Sequence, residues 1–97
     1  MGNLRTCAVS FRDHSGVSHT AEVSAESLFE AAVLGVKAIS QEWGQEPALM
    51  TSIRVEVKGP AVSHEVTFKD VQGWLQGVCR SPKERAVKER LKAILAA

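Results

Sequence analysis

The sequence lacks most of the features that would announce an activity. It holds two cysteines, Cys7 and Cys79. Two thiols cannot build a four-thiolate zinc site, and no C-x-x-C pair exists. No apolar run approaches the roughly 20 residues that span a bilayer. The start, Met1-Gly2-Asn3-Leu4-Arg5, has no apolar signal core. A membrane or secretory role is therefore not expected, and free thiols fit a reducing, cytoplasmic setting. Gly2 to Thr6 matches the loose M-G-x-x-x-[ST] lipidation pattern, but the first strand begins inside it, which argues against acylation. Twelve basic against eleven acidic residues give a net charge of +1, so no global excess of one sign selects a partner. There is no G-x-S-x-G, no phosphate-binding glycine loop and no H-E-x-x-H.

What is present is the composition of one small globular domain. The chain has 97 residues, 44% hydrophobic and 24% charged, and is expected to fold as a single unit over 1–97. A core of that size leaves little area for a deep catalytic cavity. The expectation is a binding domain, with no enzyme activity, cofactor or metal.

Hydrophobic periodicity sets the elements. Residues 4–12 alternate as a strand, with Cys7, Val9 and Phe11 on one face. Asp13-His14-Ser15-Gly16 reads as a turn, with Gly16 left-handed at a bulge. A second strand, 17–23, puts Val17, His19, Ala21 and Val23 inward. With Asp13 facing Val17, Phe11 opposes His19, Val9 opposes Ala21 and Cys7 opposes Val23. A slip by one residue would spoil all of these pairs.

Ser24 is expected to cap a helix from Ala25 to Trp43, ended by Gly44. Leu28, Phe29, Ala32, Val36, Ile39 and Trp43 share its core face, with Glu30, Lys37 and Gln41 opposite. Strands at 51–58 and 62–68 follow, turning at Gly59-Pro60. Ile53, Val55 and Val57 point inward and face Val66, His64 and Val62. A short helix from Asp70 to Val78 is weakened by Gly73 and Gly77. Ser81-Pro82-Lys83-Glu84 then starts a last, basic helix at 82–96, with Val87, Leu91, Ile94 and Leu95 as its core stripe. The fold class is thus α+β: two β-hairpins forming a four-stranded antiparallel sheet, in the order ββαββα plus a C-terminal helix, with the helices on one face. Strand order stays open, since either hairpin can be central. Glu22-Val23-Ser24 and Glu65-Val66-Thr67 lead into helices 43 residues apart; convergence of two strand-to-helix junctions accounts for this more simply than duplication.

Four constellations merit comparison. Cys7, His19 and His64 share the inward parity of metal ligands, without any metal-binding spacing. Asp13, His14 and Ser15 are the residue types of a hydrolase triad, but one short turn cannot arrange them in series. Charge is the clearest signal: residues 80–97 hold six basic and two acidic residues, a net of +4, against −3 for residues 1–79. Arg85, Lys88 and Lys92 form a ridge at i, i+3, i+7. With Arg80 they are the candidate contacts to an anion or to nucleic acid. Pairs such as Glu84–Lys88 and Arg85–Glu89 also simply support an exposed helix, and no aromatic interleaves for base stacking. Finally, Ala31, Leu34 and Ala38 form an apolar patch on the outer side of the long helix, a candidate interface for the last helix or for a second subunit. The reading is a small interaction module, self-associating as a homodimer or bound to a protein partner. Nucleic-acid binding through the basic helix is the alternative.

Overall fold

The computed structural model describes residues 4–44, 46–58 and 62–96. The elements are β1 (Arg5–Arg12), β2 (Ser18–Ala25), α1 (Leu28–Trp43), β3 (Ser52–Val57), β4 (Val62–Thr67), α2 (Phe68–Gln76) and α3 (Pro82–Ala96). They form an α+β fold with helices packed on a four-stranded antiparallel sheet of order β2-β1-β3-β4. The two hairpins are therefore joined through their first strands, which leaves β2 and β4 as edges. The Gly59-Pro60 turn lies outside the described residues.

The pairing expected from side-chain period is observed. Phe11 pairs with His19, Val9 with Ala21 and Cys7 with Val23. Ile53, Val55 and Val57 pair with Val66, His64 and Val62. The first hairpin is pinned at its tip. Asp13 N–H donates to the Val17 carbonyl (2.9 Å), Gly16 N–H donates to the Asp13 carbonyl (2.9 Å), and Gly16 takes φ +83°. A side chain at Gly16 would oppose that backbone, so glycine fixes the register here.

Helix starts differ from expectation. Ser24 caps nothing, because β2 runs on to Ala25, whose side chain turns into the core. Ser27 is the N-cap of α1, its hydroxyl accepting from Glu30 N–H at 3.2 Å. Phe68 is not a strand residue but opens α2, capped by a reciprocal pair between Thr67 and Asp70. This helix ends at Gln76, leaving Val78 89% exposed rather than in the core. Gly44 (φ +87°) closes α1 as expected.

The core is formed by Val9, Phe11, Ile53 and Val55 from the sheet, and by Ala32, Val36, Ile39, Val71, Leu75 and Leu91 from the helices. Helix α1 lies chiefly over β2 and β1, and α3 packs on α1. Two corrections follow. Glu30, expected on the solvent side, is buried because α3 closes that flank: its carboxylate is paired with Arg90 and also accepts from Glu26 N–H (2.6 Å). On β4, Val62 and His64 keep their inward parity but are exposed, since α1 does not extend over that strand. Val17, at the hairpin tip beyond the helix, is exposed for the same reason.

Candidate functional site

At the tip of the first hairpin, Asp13 is committed on both oxygens. One accepts from Ser15 N–H (2.8 Å) and Val17 N–H (3.0 Å); the other meets His19 Nε2 at 2.9 Å. The hydrogen bond to His19 is the main reason that the Asp13 carboxyl sits below its ordinary pKa, with the two backbone donors adding to it. His19 in turn stacks on Trp43 (centroids 5.0 Å apart), which also contacts Phe11 and His14. The hydrolase residue types are thus wired for structure. Asp13 orients His19, a residue outside the sequence triplet, and His14 turns to Trp43 instead.

The inward metal-ligand types are not brought together. His19 lies on β2 and His64 on β4, the two opposite edges, separated by three inter-strand spacings or about 14 Å. Among the described residues no three His, Cys, Asp or Glu side chains converge. Cys7 is buried on β1, and burial pushes its thiol pKa up. Also among the described residues, no helix is long and apolar enough to cross a membrane.

The apolar patch is largely internal. Ala31 is fully buried, and Leu34 packs partly buried against the core, as α3 lies along α1 and is tied to it by Arg90 and Glu30. Ala38 is half-buried. Ala31 therefore offers no surface to a second subunit.

The basic residues are brought together. Arg80, Arg85, Lys88 and Lys92 line one open groove of about 800 Å³ where the chain bends from α2 into α3. The bend is rigid. Ser81 Oγ accepts from Glu84 N–H (3.1 Å), and Glu84 accepts from Arg80 N–H (3.2 Å), so the start signal in the sequence caps α3. The Glu84 carboxyl is held below its ordinary pKa, first by its bond to Lys88.

Lys88 is a correction to the ridge. It is buried, at 2% exposure. Its ammonium donates to the Val78 carbonyl (3.3 Å), pairs with Glu84 (3.2 Å) and sits 5.1 Å from the Trp74 ring centroid. Trp74 stacks on Phe29 of α1. Lys88 is thus a strut between α2 and α3, with a cation–π contact and an internal ion pair in place of solvent. Among the described residues Arg85, Lys92 and the Arg80 guanidinium make no ion pair within 4.0 Å, although Arg80 lies close enough to Glu84 to help lower its carboxyl pKa, and the expected Arg85–Glu89 pair does not form. The exposed Val78 completes the groove. The sequence pattern assigns Val78 to the core; the signal against that is Gly77, the C-cap of α2, which stops the helix at Gln76, two residues before Val78.

Comparison with models of known protein families, with curated proteins and with solved structures finds no match.

Proposed function

We propose that this chain is a non-enzymatic interaction module that self-associates through the free edge of β4. The observation that carries this reading is the exposure of that strand. Val62, Ser63, His64 and Glu65 are all exposed, including 45% of Val62, on a strand that α1 does not overlie. The outer backbone groups of an edge strand are a template for another strand. The other edge strand, β2, carries α1 on its inner face, so its inward side chains are covered where those of β4 are not.

A two-fold axis through the edge permits an antiparallel register that keeps each face matched. With His64 opposite His64 of a second copy, Val62 faces Val66 of that copy and Ser63 faces Glu65. No fixed like charges oppose each other, and two apolar pairs form on the helix side of the sheet. A short strand buries less than a standard interface, so the association is weak.

The hairpin-tip residues support the non-enzymatic part, since Asp13 is consumed by the turn and by His19. Two free thiols, one of them buried, support a cytoplasmic location.

Sedimentation equilibrium at low and high protein concentration tests the reading. The expected result is a monomer–dimer equilibrium that Val62→Lys abolishes with Tm unchanged, because a lysine on an edge strand blocks further pairing. A strict monomer at both concentrations, or a dimer untouched by Val62→Lys, overturns it.

A further inference from the structure

We infer that the groove at the α2–α3 bend is a second, independent docking surface, and that its occupant is an acidic peptide segment of a partner protein carrying an apolar side chain between its carboxylates.

Charge is the first argument. Arg80, Arg85 and Lys92 all border the groove; among the described residues Arg85 and Lys92 make no ion pair, and Arg80 shares the field of the Glu84 carboxylate, which is already bonded to Lys88. Two other cations of α3 are already used: Lys88 is held by Glu84, and Arg90 by Glu30. Three positive side chains against the single groove carboxylate Glu89 leave a net positive lining that favours an anionic occupant and speeds its encounter.

The second argument is apolar. Val78 stands 89% exposed in the same groove, the most exposed large hydrophobic among the described residues. The backbone that presents it is fixed, because the Val78 carbonyl accepts from the buried Lys88 ammonium. A fixed apolar contact among cations matches an acidic segment with an apolar residue in its midst, where the apolar contact anchors and the charges orient.

The same features disfavour a nucleic-acid strand. Among the described residues no aromatic ring lines the groove to stack a base, and Trp74, in the adjoining hollow past Val78 and Arg80, is already stacked on Phe29 and covered by Lys88. Glu89 lies between Arg85 and Lys92 in sequence and also borders the groove, where it would oppose a phosphate backbone. A peptide can leave that position neutral; a polyphosphate cannot.

Selection of a displayed random-peptide library on the full chain tests this, with single- and double-stranded oligonucleotides as the competing arm. The expected outcome is enrichment of peptides with Asp or Glu flanking an apolar residue. Binding of a synthesised winner should fall about fivefold for each of Arg80→Ala, Arg85→Ala and Lys92→Ala, the scale of a surface ionic contact. It should also fall with Val78→Ser. All four side chains are exposed or half-exposed, so thermal melts serve as the folding control. Winners without acidic character, binding indifferent to these substitutions, or oligonucleotides that bind more tightly with a steep salt slope each overturn the proposal. Sedimentation of Arg85→Ala/Lys92→Ala separates this surface from the β4 edge, since self-association through β4 is unchanged in that variant.

Discussion

Gly35 of α1 rests directly on Val9 of β1: a Cβ placed on the glycine would fall inside the van der Waals envelope of the valine Cβ and both of its methyl groups. Val9 is fully buried and central to the sheet, paired on both sides with Ala21 and Val55. It cannot retreat.

Replacing Gly35 by alanine therefore sets two effects against each other. Helix propensity favours alanine by about 1 kcal/mol. Overpacking against a branched side chain in a closed core costs about 1–3 kcal/mol. Three overlapped valine atoms put the cost at the upper end of that range, so the expected outcome in urea unfolding is a net loss of stability of about 2 kcal/mol. Because the cost lies in one contact, Gly35→Ala combined with Val9→Ala should lose less than the sum of the two single changes. Additive losses would place the cost elsewhere.

The Glu30–Arg90 pair joins α1 to α3 with unequal exposure: the Glu30 side chain is 9% exposed and that of Arg90 57%. Arg90→Ala leaves a buried carboxylate with only the Glu26 N–H as partner. A loss of about 1–3 kcal/mol is expected, the scale of a hydrogen bond to a charged group. Glu30→Gln keeps the acceptor and removes the charge, so it should cost less. A double-mutant cycle in chemical unfolding gives the coupling, and a value near zero would show that α3 is held by its apolar stripe alone.

Two lysines of α3 should behave oppositely. Lys88→Ala removes the contacts to Glu84, Val78 and Trp74, and should lower Tm by several degrees with a change in tryptophan emission. Lys92→Ala, which removes no such contact, should leave Tm within about a degree. Equal effects would contradict the strut.

Acid stability has a stated sign. The folded-state pKa of Asp13 is depressed, chiefly by the His19 hydrogen bond. The unfolded chain therefore takes up the proton first as pH falls. The stabilising contribution is complete above the ordinary aspartate value of about 3.9 and disappears as pH falls through the lower folded value. Asp70, held down by Thr67, and Glu84, held down first by Lys88, act in the same direction. Melting curves taken down through this acid window should show a shallower decline for Asp13→Asn than for the parent chain. Superimposable declines would mean that the hairpin tip carries no pH dependence.

Strand pairing was legible because one residue, Gly16, sets the hairpin register and period-two alternation carries it outward to Cys7 and Val23. The same rule placed Val57 opposite Val62. Period alone, however, says which face a side chain takes and not whether anything lies on that face. Val62 and His64 have inward parity and meet no helix. Glu30 has outward parity and is covered by α3. Both outcomes depend on where helices settle over the sheet, a long-range property. Lys88 was obscured for a related reason: a lysine beside an apolar stripe reads as solvated until a ring, a carboxylate and a carbonyl arrive from other parts of the chain. The groove residues Arg80, Arg85 and Lys92 were readable from charge; their apolar companion Val78 was not, because its exposure depends on α2 stopping at Gln76.

The sheet order has a kinetic consequence. Each hairpin joins neighbours in sequence and can zip locally, but the seam between β1 and β3 joins strands separated by the whole of β2 and α1. Closing that loop costs chain entropy before any contact repays it. Once α1 has seated its glycine on β1, the second ribbon has a surface to land on. The seam is then the step that sets the folding rate, and substitutions along it should slow refolding more than they speed unfolding.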